Sequence, residues 1–504
     1  MSKEKNKEFG DFQTPNELTR KITQHLKQLD ISPNSIIEPT CGRGSFIFAC
    51  LETFSKAEII GIDINPKYLD LISKKLSQIN KTEDVKLHQG NFFDIDWQKK
   101  IEELTDPVLI IGNPPWITSA EISTLGGSNI PRKSNIHGFK GLDSKTGKSN
   151  FDISEWMIIE LLKGMNGHLS TLAMLCKVTV AQKALTFIKK QKISVSSSKI
   201  ILVNAKEHFG ASVDACLFVC NLEPRQHNYR CQIYENFGST TPIQEIGYID
   251  ERLVANIPVY KKWRHLIGKS KYIWRSGIKH DCSRVMELRK QESGFLNGFE
   301  ELVTIEDRYL YPMLKSSDLA NNRINDINRW MIVTQKFIGE DTSPIQETAP
   351  LTWKYLEKYA QLLLNRASSI YQNRPKFSIF GVGSYTFSSW KVAISGFYKE
   401  LKFRLIKPYE NKPVVLDDTC YFIPVESQEE GVILLSLLDH PITHEFYHSF
   451  IYWDAKRPIT KQILQQLDLK KLSGEIGYSA LLNRLKGNCE IETDLLKTYI
   501  KHFC

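Results

Sequence analysis

The chain is poor in the features that mark several protein classes. Its 10 cysteines are scattered over 504 residues and no two form a CxxC pair, so neither a zinc site nor a redox dithiol is expected. Cys216 and Cys220 fall in an apolar run and read as small core residues. No apolar stretch approaches the ~20 residues a membrane span needs. The segment Met1-Ser2-Lys3-Glu4-Lys5-Asn6-Lys7-Glu8 is charged with no apolar core behind it, so no secretory signal is expected and the expected location is cytoplasmic. No internal repeat occurs, and no acidic pair with a nearby lysine suggests an appended nuclease. Charge is not strongly one-sided either: 66 basic against 57 acidic residues leave +9. That balance suits a polyanion-binding cleft, and equally an ordinary solvated surface. The length allows two or three domains with a sizeable core.

What is present is more specific. Val108 to Ile111 reads as a short buried strand, followed at once by Gly112-Asn113-Pro114-Pro115-Trp116. Two prolines end the strand, because proline fixes φ and supplies no N–H. The strand tip then carries an amide side chain, the Asn113 and Pro114 carbonyls and a large aromatic face. These suit a planar ring with an exocyclic amine: the Asn113 side-chain oxygen and the Pro114 carbonyl can each accept one N–H, while Trp116 stacks. A proline-stiffened turn is the plainer reading of the same residues.

The upstream context adds weight. Ile36-Ile37-Glu38-Pro39-Thr40-Cys41-Gly42-Arg43-Gly44-Ser45-Phe46 is a strand, a glycine-containing turn and the start of an apolar helix. Gly42 and Gly44 allow positive φ and close backbone approach to a ligand. Glu58 to Asp63 is the next strand, and Asp63 stands about twenty residues past the glycines, where a doubly wound fold sets an acid on a ribose diol; with Pro66 opening a helical stretch over Lys67 to Leu76, a cap on that helix is the other reading. A third unit ends in Gly90-Asn91-Phe92, with an amide that can meet an adenine amino edge and a ring that can stack, or a phenylalanine that simply packs in the core. Polar groups thus recur at the carboxyl ends of successive strands, where open α/β sheets bind ligands.

Glu38-Pro39-x-Cys41-Gly42-x-Gly44-x-Phe46, Asp63, Gly90-Asn91-Phe92 and Asn113-Pro114-Pro115-Trp116, in this order, resemble the S-adenosylmethionine-dependent amino-methyltransferases. Gly10-Asp11-Phe12-Gln13-Thr14-Pro15, ahead of the glycine turn, resembles the N-terminal cofactor motif of the gamma-type N6-adenine DNA methyltransferases of restriction–modification systems. The resemblance implies a Rossmann-like catalytic domain with a mixed, mostly parallel sheet, followed by an α+β target-recognition domain. It implies S-adenosyl-L-methionine held by Thr14, Glu38, Thr40, Gly42, Gly44, Asp63, Asn91 and Phe92, no metal, and catalysis by Asn113, Pro114, Pro115 and Trp116. The implied substrate is an adenine flipped out of double-stranded DNA and gripped by Trp116 and Phe209. A separately encoded restriction endonuclease of the same specificity is an open partner. The chain departs from the family in having Asn91 where Asp is frequent, Trp116 where Tyr or Phe is usual, and no proline near Lys177. The absence of any Pro-Cys dipeptide disfavours the covalent mechanism of the C5-cytosine enzymes.

Residues 117–148 lack periodicity and read as a mobile loop closing over nucleic acid, or as disorder. Within them Gly141 to Ser149 resembles a phosphate loop, but the glycine spacing is wrong and no strand precedes it. Asn150 to Met165 reads as a helix; Leu172 to Cys176, Ile200 to Val203 and Val213 to Leu222 read as strands. Composition shifts at Glu223-Pro224-Arg225, giving a catalytic domain over 1–224 and a recognition domain over 225–504. In the latter, basic and aromatic residues interleave, and Lys271, Trp274, Arg275, Lys376, Trp390 and Lys391 are the expected DNA contacts. Phe446 to Thr460 resembles C-terminal segments of some restriction–modification methyltransferases. The remaining readings are methylation of N4-cytosine, RNA adenine or protein glutamine, and a non-catalytic nucleic-acid-binding protein.

Overall fold

The computed structural model describes residues 13–118, 152–292, 294–453, 455 and 457–486. The expected 117–148 loop, the phosphate-loop look-alike and Gly10 to Phe12 therefore lie almost wholly outside the described residues. The chain divides into two compact units, residues 1–257 and 258–504.

Unit one is built on a single ten-stranded sheet. Its strands are β1 (Ser35–Glu38), β2 (Glu58–Asp63), β3 (Val85–Gln89), β4 (Val108–Gly112), β5 (Ser170–Lys177), β6 (Val195–Val203), β7 (Ala215–Leu222), β8 (Arg230–Tyr234), β9 (Gln244–Ile249) and β10 (Arg252–Val254). The order across the sheet is β10-β9-β8-β6-β7-β5-β4-β1-β2-β3. Strands β3 to β5 run parallel through β2, β1 and β4, while β7 is antiparallel between β5 and β6. Every residue of β1 and of β4 is buried, as expected of central parallel strands covered on both faces.

Helices α1 (Asn16–Gln28), α2 (Ser45–Thr53), α3 (Pro66–Gln78), α4 (Trp97–Glu102), α5 (Ile153–Gly164), α6 (Val178–Gln191) and α7 (Ala205–Phe209) complete the unit. Leu18, Ile22 and Leu26 of α1 recur on one helical face and join the core with Phe46 and Ile47 of α2 and Ile72 of α3. Helix α3 starts where its sequence says it should: Asn65 accepts the Lys67 N–H and Pro66 fills the first position.

The expected boundary near residue 224 is corrected here. Glu223-Pro224-Arg225 is a polar turn, with Arg225 at φ 68°, that leads from β7 back into the same sheet. Strand β8 pairs in parallel with β6 through Lys199↔Gln232 to Ile201↔Tyr234, and β9 and β10 add antiparallel beyond it. A turn and a linker have the same composition, and only strand pairing distinguishes them.

Unit two mixes helices with two sheets. One orders β11 (Arg275–Ser276), β20 (Cys420–Val425), β17 (Trp390–Ser395) and β18 (Phe403–Ile406); the other orders β14 (Leu302–Val303), β13 (Gly294–Leu296), β12 (Glu287–Gln291), β16 (Arg329–Ile332), β15 (Leu310–Leu314) and β19 (Val415–Leu416). Helices such as Gln428–Leu438 and Pro441–His448 follow them, giving an α+β unit. No helix among the described residues is long and apolar enough to cross a membrane.

Candidate active site at the carboxyl end of the sheet

The strand-end residues converge at one end of unit one. After β1, the turn into α2 is held open by two left-handed glycines, Gly42 at φ 51° and Gly44 at φ 82°. The Gln13 amide lies over Gly42, where an added Cβ would come within 3.1 Å of it, and its Oε1 accepts the Arg43 N–H at 3.1 Å. Glu38 is buried and accepts the Ile47 N–H of α2 at 3.2 Å. Burial drives its carboxyl well above the usual carboxylate range; that N–H opposes the shift and the Asp63 charge adds to it. The Thr40 hydroxyl oxygen is buried with no hydrogen-bond partner among the described residues, so the turn presents an unused polar atom.

Asp63 takes the helix-side role that its place before Pro66 left open, and adds a bond to the glycine turn. Its two carboxylate oxygens accept the Gly42 N–H at 2.7 Å and the Asn65 N–H at 2.8 Å. The acid therefore ties the β2 end to the glycine turn and to Asn65, the residue that caps α3. Ile64, next to it, is 43% exposed. An apolar side chain bared beside a strand-end acid offers a face to a planar base, and the hydrophobic-after-acid pattern was the signal missed in the sequence.

At β3 the expectation for Phe92 is revised. The residue is only 5% exposed, its ring lies against Trp97 with centroids 4.5 Å apart, and its carbonyl accepts the Trp97 indole N–H at 3.1 Å. Its neighbours Trp97 and Trp156 make an aromatic cluster that claims the ring for the core. Asn91 uses its side-chain oxygen to cap the Phe93 N–H at 3.3 Å.

At β4 the Asn113 amide nitrogen donates to the Thr14 hydroxyl at 3.2 Å, so the N-terminal motif and the strand tip meet although 99 residues separate them. This bond holds the amide against the N-terminal motif. Pro114 is buried. The Trp116 indole N–H donates to the Leu175 carbonyl of β5 at 3.3 Å, and its ring meets Phe209 edge-to-face at 5.1 Å and 68°. The two aromatics expected at the target base are thus neighbours, brought together by β4 and α7.

Two further residues of this corner were not singled out from the sequence. The Lys177 ammonium, at the end of β5, donates to the Trp116 carbonyl at 3.1 Å and to Asp152 at 2.6 Å. Asp152 also caps α5, accepting the Ser154 N–H at 3.0 Å and its hydroxyl at 2.6 Å. The Ile153 N–H bonds the Ile117 carbonyl at 2.9 Å. The chain leaving Trp116 is therefore pinned to the start of α5. Only the polar-start pattern of that helix hinted at Asp152.

The expected DNA contacts of unit two divide. Lys271 and Lys376 are exposed; Lys271 lies over the Tyr272 ring at 5.2 Å and Lys376 pairs with Glu357 at 3.0 Å. Arg275 is half-buried over the Tyr385 ring at 4.7 Å, and Trp390 is half-buried on β17. Trp274 and Lys391 are corrections. Trp274 is buried beside Phe403, and Lys391 is 1% exposed with its ammonium donating to the Ser388 carbonyl. For Trp274 the cause is alternating burial, with Lys271 and Ile273 exposed and Tyr272 and Trp274 buried, whereas Lys391 lies on β17, which is buried from Lys391 to Ser395. Among the described residues no three His, Cys, Asp or Glu side chains converge as metal ligands would.

Comparison with known proteins gives the family. Residues 32–112 match a family described as a methyltransferase domain. The chain is 46% identical over 468 residues to the Type II methyltransferase M.NspV of Nostoc sp. (strain ATCC 29411 / PCC 7524), covering 92% of this chain and 97% of that one. It is 32% identical over 118 residues to the Type II methyltransferase M.CvrRI of Paramecium bursaria Chlorella virus XZ-6E, covering 23% of this chain and 27% of the relative. Among solved structures, the Type IIL restriction–modification enzyme MmeI in complex with DNA aligns over 98% of this chain and 72% of its own, with TM-score 0.54 and 13% identity, which speaks to the fold alone.

Proposed function

Since this chain belongs to the Type II methyltransferases of restriction–modification systems, whose methyl donor is S-adenosylmethionine, we propose that its target is the N6 amino group of an adenine turned out of double-stranded DNA. The observation that carries the reading is the Asn113-Pro114-Pro115-Trp116 tip, with the Asn113 amide oriented by Thr14 and the Trp116 ring beside Phe209.

The residues of this corner fit the cofactor. The Thr40 hydroxyl offers a buried polar atom without a partner among the described residues, the Gly42–Gly44 backbone permits close approach, and Asp63 and Ile64 offer an acid and an apolar face side by side. When bound, S-adenosylmethionine supplies an electrophilic methyl group on a sulfonium. The protein's task is the nucleophile. Adenine's amino lone pair is delocalised into the ring, so the nitrogen attacks poorly while planar. The Asn113 side-chain oxygen and the Pro114 carbonyl accept its two N–H groups, which favours a pyramidal nitrogen with the lone pair aimed at the methyl carbon. Orientation for in-line transfer contributes most of the remainder. Extruding the base costs roughly a few kcal/mol. Stacking on Trp116 offsets about 1–3 kcal/mol of that, by analogy with single-strand binders. Residues 258–486 are the proposed recognition unit, and a separately encoded endonuclease of the same specificity is the proposed counterpart.

The test is product analysis. Plasmid DNA treated with purified protein and methyl-labelled S-adenosylmethionine is digested to nucleosides and analysed by mass spectrometry. N6-methyldeoxyadenosine is expected; N4-methyldeoxycytidine as the labelled product would overturn the assignment.

A further inference from the structure

Immediately after β16, unit two builds a rigid turn whose tip is apolar. Val333, Thr334 and Gln335 are buried, and then Phe337 is 58% and Ile338 47% exposed. The turn closes with the Glu340 N–H on the Phe337 carbonyl at 3.2 Å, and Gly339 takes φ 84°, as the third position of a type II turn requires. Its base is clamped on three sides. The Thr334 hydroxyl donates to the Phe377 carbonyl at 2.8 Å, the Thr342 hydroxyl to the Lys376 carbonyl, and the Gln335 side chain accepts the Ile379 N–H at 2.8 Å while donating to the Glu340 carbonyl at 2.6 Å. The Glu340 carboxylate turns inward onto the Lys336 N–H.

Two adjacent large apolar side chains on so constrained a tip cost solvation that a folding role would not require. The tip's flanks say what covers it. Lys336 and Arg374 are exposed and make no ion pair among the described residues, and the Arg374 guanidinium lies 3.7 Å from where a Gly339 Cβ would stand. The Arg374 guanidinium is held over the Phe380 ring at 5.8 Å and carries no carboxylate partner among the described residues; a rigid apolar point beside cations without acidic partners matches a duplex, with phosphates for the cations and a base step or groove floor for the ring. We propose that the Phe337-Ile338 turn is a wedge that inserts into DNA at the recognition site, unstacking or bending it, with Lys336 and Arg374 seating the backbone beside it. The wedge rests on reading residues 258–486 as the recognition unit, and does not depend on which base is methylated.

The experiment uses the full chain and a 25-bp duplex carrying the site found by sequencing methylated DNA, labelled with a dye at each end. Phe337→Ser with Ile338→Ser, both exposed, should leave thermal stability unchanged, weaken site-specific binding about tenfold or more and abolish the change in end-to-end energy transfer seen with wild type. Phe337→Trp should restore it, since a ring is what inserts. Lys336→Gln with Arg374→Gln should flatten the salt dependence of binding. An unchanged affinity and energy transfer in the double-serine variant would overturn the wedge. A Lys271→Gln/Arg275→Gln variant separates the two readings: if it alone loses binding, the recognition unit stands without the wedge, and if neither variant loses binding, both fall.

Discussion

Lys177 and Asp152 pair at 2.6 Å, and the same ammonium reaches the Trp116 carbonyl at 3.1 Å. The end of β5 thereby holds the peptide that follows Pro114 and Pro115, and the N-cap of α5 holds the lysine. Asp152 is nearly buried, so removing its partner strands a carboxylate as well as freeing the Trp116 backbone.

Lys177→Met is therefore expected to lower kcat by roughly 10–100-fold, as a misplaced reacting surface does, while cofactor affinity by calorimetry stays close to wild type. Lys177→Arg keeps the charge and should recover part of the rate. A kcat equal to wild type in the methionine variant would make the pair a purely structural tie.

Asp63→Ala should reduce cofactor affinity and thermal stability together, because the carboxylate serves the Gly42 and Asn65 N–H groups besides any ribose. Hydrogen bonds to a charged acceptor contribute about 1.5–3 kcal/mol each, and partial exposure keeps this site near the lower end. Calorimetric titration and a melting curve on the same sample check it. Lost affinity with an unmoved Tm would confine Asp63 to the ligand.

These two cases mark what the sequence could and could not say. The order of strands and the residues at their tips were legible, because Asn113-Pro114-Pro115, Gly42, Gly44 and Asp63 are demanded by local backbone chemistry that a short motif records. Asp63's bond to the Gly42 N–H, Lys177's reach to Trp116 and Thr14's contact with Asn113 depend on distant parts of the chain, which no local pattern encodes. Phe92 and Trp274 show the converse error. An aromatic beside a polar residue looks like a binding platform in a sequence, but burial decides, and both rings are core. The boundary near residue 224 failed for a related reason, since a turn inside a sheet and a linker between domains share their residues.

Trp116→Ala should remove most activity, through lost stacking worth about 1–3 kcal/mol. Trp116→Phe should keep more, but not all. The indole N–H anchors the ring to the Leu175 carbonyl, and phenylalanine loses that bond, about 1 kcal/mol. Phe209→Ala should act in the same direction, since its ring props the indole edge-to-face. Steady-state rates with a fluorescent adenine analogue at the target position separate a flipping defect from a chemical one: weak brightening on binding is expected for both alanine variants. Full brightening and a full rate in Trp116→Ala would take the indole out of the site.

Lys391→Met tests whether a buried lysine of unit two is a DNA contact or a core cost. Burial lowers the Lys391 pKa to about 7. The unfolded value is near ~10.4, so between those limits the unfolded chain holds a proton that the folded chain lacks. Stability contributed by this site thus rises with pH through that window: the penalty is absent near pH 10.5, grows as pH falls, and levels off below about 7. Its upper bound at neutral pH is roughly 4 kcal/mol, reduced in practice because the ammonium donates to the Ser388 carbonyl. The methionine variant should therefore be more stable than wild type at pH 7, with the gain shrinking towards pH 10, in urea unfolding followed across that range. Its affinity for duplex DNA should equal wild type, because a side chain 1% exposed cannot reach a phosphate without unfolding β17. A loss of DNA binding in a variant that is equally or more stable would return Lys391 to the recognition surface.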